Sequence, residues 1–244
     1  MFPLKDDVPT NSTPFVTVGL IAINVLVFLY QVSLQGLASA EGSRAAQAFV
    51  LEFGLVPCRL TGHCVSPEGF PPPVVSMFTS MFLHGGLFHV AGNMLYLWIF
   101  GNNVEDTLGH ARFVLFYLAS GVGAALGQTG FGPESTVPMI GASGAVSGVL
   151  GAYLLLFPRA NVLTLIVLGF FIRLVRIPVV IVLGLWVAVQ FLSGLVTWSA
   201  SASGETAGGG VAWFAHIGGF LVGMALLYVL HPRRPAPGGA RRSW

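Results

Sequence analysis

Ser143 lies in Gly141-Ala142-Ser143-Gly144, His216 in Ala215-His216-Ile217-Gly218-Gly219, and His89 precedes Asn93 by one helical turn. A serine hydroxyl is a weak nucleophile until a neighbouring base takes its proton, and a histidine in reach can do so. Ser143 as nucleophile and His216 as general base would therefore support covalent acyl transfer. That chemistry also needs donors for a developing oxyanion. The Asn93 amide, the His89 imidazole and the backbone N–H of Ser143 at a helix start are the candidates. A third, orienting carboxylate is the usual companion of such a pair. All nine acidic residues fall in loops or at helix ends, so a Ser-His dyad is expected.

These groups sit in a chain of 244 residues that is 55% hydrophobic and only 8% charged, with a mean hydropathy of +0.81. Soluble domains carry about a quarter charged residues, so the apolar excess must face lipid. The 32 glycines fit membrane helices, where small residues let backbones approach closely. The fold class expected is an all-α polytopic membrane protein, a bundle of six transmembrane helices. Hydrogen-bonding and ionisable side chains are costly in that setting and read as functional by default. The net charge of +2 points to no nucleic-acid partner; the partner is the lipid bilayer. Cys58 and Cys64 could close a short disulfide or remain thiols, equally by their spacing. With His63 they offer too few ligands for a structural zinc, so neither metal nor cofactor is expected.

A span needs about 20 apolar residues. The candidates are Pro14–Leu34, Met81–Phe100, Phe113–Gly130, Met139–Phe157, Pro178–Trp198 and Val211–Leu230. Residues 1–13 form a polar N-terminal segment with no cleavable signal, 35–80 a long loop, 199–210 a Gly/Ser-rich connector, and 231–244 a basic tail expected to be disordered. Asn161–Ile172 is apolar but only about a dozen residues long, which suits an interfacial or re-entrant segment. With six spans and the N-terminus inside, nine Lys and Arg lie on the cytoplasmic side and two, Arg44 and Arg59, outside. His89, Ser143 and His216 then share a layer roughly 6–12 Å below the outer boundary. Gly144 and Gly148 on one helix and Gly219 and Gly223 on another form close-packing rows. His84, at a helix mouth, reads as water-facing or loop-anchoring, Glu105 and Arg112 as interface residues, and Trp98, Trp186, Trp198 and Trp213 as lipid-facing or interfacial aromatics.

Three motifs in this order resemble those of the rhomboid family of intramembrane serine proteases: His84-Gly85-Gly86-Leu87-Phe88-His89-Val90-Ala91-Gly92-Asn93, Gly141-Ala142-Ser143-Gly144, and Ala215-His216-Ile217-Gly218-Gly219-Phe220-Leu221-Val222-Gly223. Gly101 and Glu105 also fit the family's pattern. The resemblance implies a six-helix core that cleaves transmembrane protein substrates near the outer face. It makes Ser143 the nucleophile and His216 the base, with His89, Asn93 and the Ser143 amide around the oxyanion. It departs from many members in having Val75-Ser76 where they carry Trp-Arg, and Ser147 where some carry a tyrosine that stacks on the histidine. A compact six-span form suits a prokaryotic plasma membrane. Two other readings stand beside this one: a non-catalytic rhomboid-like protein that binds membrane clients, and a membrane haem protein with His89 and His216 as axial ligands.

Overall fold

Apolar runs of about 20 residues bounded by Pro, Gly or charge become the long helices of the chain. The computed structural model describes residues 2–36, 40–168, 171–202 and 212–231. The order is β1 (Phe2–Asp6), α1 (Phe15–Gln35), α2 (Ala40–Phe53), α3 (Pro57–Thr61), α4 (Pro73–Thr79), α5 (Leu87–Tyr96), α6 (Asn102–Leu108), α7 (His110–Phe131), α8 (Ser143–Leu156), β2 (Asn161–Leu168), β3 (Phe171–Pro178), α9 (Val179–Ala202) and α10 (Trp213–Leu230). Among the described residues, α1, α7, α9 and α10 are each long and apolar enough to cross a membrane. The protein is a mostly helical, polytopic membrane protein. Part of the connector and nearly all of the tail, 203–211 and 232–244, lie outside the described residues.

Two of the six expected spans take another form. In place of Met81–Phe100, the segments Pro73–Phe82 and Leu87–Leu108 meet at an 85° bend, so they are a broken span or a re-entrant loop. The break falls on His84-Gly85-Gly86, and α5 continues into α6 through a π-helical turn at Leu97–Gly101. In place of Met139–Phe157 there is only the 14-residue α8. At 1.5 Å per residue it is about 21 Å long, short of the ~30 Å hydrocarbon core. Gly144 through Tyr153 are all buried, and a helix walled in by other helices need not match the thickness of the lipid. The residues before α8 are extended instead. Met139 and Leu55 exchange backbone hydrogen bonds (2.7 and 3.1 Å), and Gly141 N–H donates to the Ser80 carbonyl (2.9 Å). By length and composition, the described residues thus hold four candidate spans, or five with the bent pair counted as one.

The core is a three-helix contact of α7, α8 and α10 built on missing side chains. A Cβ on Gly219 or Gly223 would collide with the carbonyl oxygens of Gly144 or Gly148, and one on Gly123 would stand 2.7–2.8 Å from Val222. Backbones this close are what small residues permit in a membrane. At one end, the long loop folds into α2, α3 and α4. Cys58 and Cys64 are joined by a disulfide (Cα–Cα 5.2 Å), and Cys58 N–H donates to the Ser135 carbonyl (3.0 Å) just ahead of α8.

At the other end lies a sheet that the all-α expectation lacked, three antiparallel strands in the order β1-β2-β3. The stretch Asn161–Ile172 thus supplies β2 and the start of its antiparallel partner β3, and the polar N-terminal segment supplies the third strand. On β2, Val162 and Thr164 are buried while Val167 is exposed, as in a half-buried strand, whereas Ile172, Leu174 and Val175 of β3 are all exposed. Asp6 fastens β1 by accepting from the Tyr153 hydroxyl (2.6 Å) and from the Asn103 amide. Burial pushes the Asp6 carboxyl above its usual range. Exposed Asp7 accepts from the backbone and side chain of Asn161 (2.8 and 3.0 Å), and these bonds hold its carboxyl below the usual range. Arg112 is exposed, but Glu105 is fully buried rather than interfacial. Its carboxylate accepts from Val16 N–H (2.9 Å), Thr17 N–H (2.7 Å) and the Thr17 hydroxyl (2.7 Å), closing the free donors at the start of α1. His110 Nδ1 lies 2.6 Å from the same carboxylate.

Candidate active site

Because α8 and α10 meet glycine to backbone, side chains one turn above the contact touch. Ser143, the first residue of α8, places Oγ 2.8 Å from Nε2 of His216 on α10. His216 is 8% exposed, and its other nitrogen, Nδ1, lies 2.6 Å from Oε1 of Gln190 on α9. A ring that donates from Nδ1 to an amide oxygen keeps a lone pair on Nε2. That lone pair faces the serine hydroxyl. The arrangement can move a proton from Ser143 to His216.

The ring is also fixed by its faces. Trp186, one turn before Gln190 on α9, lies with its ring centroid 5.8 Å from the imidazole, and Trp213 approaches edge-on at 6.4 Å. Two tryptophans expected at lipid or interface thus pack on the histidine, whereas Trp98 and Trp198 are exposed. Ser147 turns its hydroxyl back to the Ser143 carbonyl (2.5 Å).

His89 and Asn93 reach the same place from α5. A Cβ on Gly141 would stand 2.8 Å from Cε1 and Nε2 of His89 and 3.6 Å from Ser143 Oγ, so the imidazole edge, this backbone and the hydroxyl converge. Gly141 also has φ +123°, a conformation open to glycine but not to other residues without strain. Gly85 N–H donates weakly to His89 Nδ1 (3.4 Å), which leaves the proton on Nε2, the nitrogen that lies against Gly141. Asn93 is buried, and its Nδ2 lies 3.0 Å from Nε2 of His84. His84 is not water-facing: it is 2% exposed, and its backbone N–H and carbonyl pair with the Gln31 side chain (2.9 and 3.2 Å). It anchors the bend to α1 and holds the Asn93 amide. Ser143, His216, His89, Asn93, Gln190 and Trp186 all line one cavity of about 1090 Å³, which extends to Pro57 and Ser135 beside the disulfide loop. Gln190 is the residue that sequence reasoning passed over. A polar amide in the otherwise apolar Val179–Ala202 is its only signal, and a search for carboxylates does not find it.

The Rhomboid domain family model matches residues 72–233 of the chain. Rhomboid protein 1, mitochondrial, of Saccharomyces cerevisiae is 32% identical over 154 residues, covering 62% of this chain and 40% of the yeast protein. RHOMBOID-like protein 6, mitochondrial, of Arabidopsis thaliana is also 32% identical over 154 residues, 63% of this chain and 43% of that protein. Rhomboid protease GluP of Bacillus subtilis is 44% identical over 78 residues, 32% of this chain and 15% of the relative. The chain thus spans less than half the length of each of these relatives.

Proposed function

The chain belongs to the rhomboid family, and from that premise we propose that it is an intramembrane serine endopeptidase acting on transmembrane segments of other membrane proteins. The observation that carries the reading is the 2.8 Å contact between Ser143 Oγ and His216 Nε2 at the wall of an open cavity within an otherwise apolar bundle. Ser143 Oγ attacks the carbonyl carbon of the scissile peptide as its proton passes to His216 Nε2. The carbonyl oxygen becomes an oxyanion that His89 Nε2–H, the free Asn93 N–H and the Ser143 backbone N–H are placed to receive. Each such donor is worth roughly 10²–10³ in rate. The tetrahedral intermediate collapses, and the proton on His216 goes to the leaving amine. Water then attacks the Ser143 ester as His216 takes its proton, and when the C–O bond to Ser143 breaks His216 returns that proton to Oγ, which frees the serine.

A helical peptide bond is shielded by its own hydrogen bonds. The substrate segment must therefore unwind locally to enter the cavity, which favours single-span proteins with small or helix-breaking residues near the cut. Six crossings with the N-terminus inside would leave nine basic residues on the cytoplasmic side and two outside, a bias that supports a cavity mouth on the non-cytoplasmic side. The disulfide at that end agrees, since disulfides persist in oxidising compartments.

The rival readings fit the site less well. Client binding without cleavage leaves the Ser143–His216 hydrogen bond without a role. A haem ligand needs a free imidazole nitrogen, and both nitrogens of His216 are engaged, by Ser143 and by Gln190. The test is labelling of the solubilised protein with a fluorophosphonate and location of the adduct by mass spectrometry. An adduct on Ser143 that is lost in His216→Ala supports the reading. A folded wild-type protein that takes no adduct at Ser143 rejects it.

A further inference from the structure

We propose that Gln190 is the positioning residue that completes the Ser143–His216 pair, its amide oxygen holding the proton on His216 Nδ1 so that Nε2 is free to act as base. The proposal rests on the endopeptidase reading above and adds a third member to its machinery.

The argument begins with the two ends of the carboxamide. With Oε1 toward His216, as the structure has it at 2.6 Å, Nδ1 must be the donor and Nε2 the acceptor facing Ser143. With the amide reversed, its N–H would donate to Nδ1, the ring proton would move to Nε2, and the serine hydroxyl would face a donor instead of a base. One torsion of one side chain thus selects between a competent and an incompetent histidine. Burial sharpens the choice. Gln190 is 6% exposed, so water cannot substitute freely for the amide at Nδ1. The neighbouring turn of α9 contributes Trp186 against the face of the ring, so one helix fixes both its tilt and its tautomer.

A neutral amide also suits this depth better than an acid. A carboxylate would help when His216 becomes an imidazolium, yet in an apolar bundle it costs several kcal/mol to desolvate. The amide carbonyl offers a dipole without that cost. Around His216, α8 presents Ser143, and α7 presents Gln128, which accepts from Ala215 N–H. From α5 come His89 and Tyr96, the titratable groups on the cavity wall. None of these reaches Nδ1 among the described contacts, so the orienting role falls to Gln190 alone.

The test uses the full chain in proteoliposomes and the fluorophosphonate itself as probe, separating the saturated rate of Ser143 labelling from the probe's apparent affinity across pH. Gln190→Met keeps the length of the side chain but no strong acceptor. It should lower the saturated rate about 10- to 100-fold, the worth of a hydrogen bond to a charged group, with apparent affinity little changed. Gln190→Glu places a carboxylate on Nδ1 and should move the acidic limb of the rate profile to higher pH, because a negative neighbour favours the imidazolium. Wild-type labelling with an unchanged rate and profile in Gln190→Met overturns the proposal and leaves the endopeptidase reading intact. If Gln190→Met fails to fold, an unshifted acidic limb in Gln190→Glu overturns it. Absence of labelling in folded wild type removes the reading and the proposal together.

Discussion

Gly223→Ala is the substitution whose effect on chemistry can be worked from packing alone. A methyl carbon at this position would stand 2.6 Å from the Gly148 carbonyl carbon and closer to its oxygen. Non-bonded carbons rest at about 3.5–4.0 Å, so α10 must retreat from α8 by about 1 Å. His216 is two turns, about 10 Å, along the same rigid helix. A parallel retreat stretches its contact with Ser143 from 2.8 Å to roughly 3.8 Å, beyond hydrogen-bond reach. Overpacking costs about 1–3 kcal/mol of stability, which the bundle should survive. A misplacement of this size costs on the order of 10²-fold in rate. The assay is the rate of Ser143 labelling, paired with thermal unfolding in the same detergent. Gly19→Ala is the control, since a Cβ there meets nothing within 4 Å. Labelling of a folded Gly223→Ala protein within twofold of wild type would refute the claim that glycine packing sets the Ser143–His216 distance.

Other perturbations have outcomes of known direction. Asp6→Asn can still accept from Tyr153 and Asn103 but carries no charge. The folded-state pKa of Asp6 is raised, so its favourable contribution is full below the unfolded value and lost as pH rises through the folded one. The variant should therefore melt higher than wild type near neutral pH and lose that advantage in acid; a lower melting temperature at neutral pH would contradict this. Asp7 has the opposite sign: its pKa is lowered, so the stability it gives is present above the unfolded value and fades as pH falls through the folded one. Glu105→Ala strips the partner from two amides and a hydroxyl at the start of α1 and should destabilise by about 3–5 kcal/mol, read as a lower melting temperature; a change under 1 kcal/mol would be inconsistent with that network. Replacing Cys58 and Cys64 by Ser opens a short loop and should cost about 2 kcal/mol. Ser143 labelling below the melting temperature should not change.

Ser143, His216 and the α5 pair His89 and Asn93 are legible in the sequence because each is a polar residue that a membrane helix would otherwise avoid. The glycine rows are legible for the complementary reason, as gaps where backbones meet. Element boundaries are less so. Met139–Ile140-Gly141 has the apolarity of a helix, but its backbone groups go to Leu55 and Ser80, partners from a distant loop that no local pattern reveals. Strand β2 is open to reading: β-branched Val162, Thr164 and Ile166 alternate with Leu163 and Leu165, a rhythm that a count of apolar residues conceals. Glu105 and Trp186 look superficial because charge and indole usually are. Only the tertiary fold turns one toward the amides of α1 and the other toward His216.

The sheet that joins β1 to β2 and β3 imposes an order on biosynthesis. Phe2 emerges from the ribosome long before its partner Leu165, and at 5–20 residues per second the wait is on the order of 10 s. Throughout that interval the N-terminal strand has no sheet to join, and it must stay on the side of the membrane where the hairpin will later appear. Closure of the sheet therefore comes late, after the helices from α1 to α8 that lie between β1 and β2. A reporter placed in the N-terminal segment would register that event, and a bulky folded domain fused close to Phe2 would impede it.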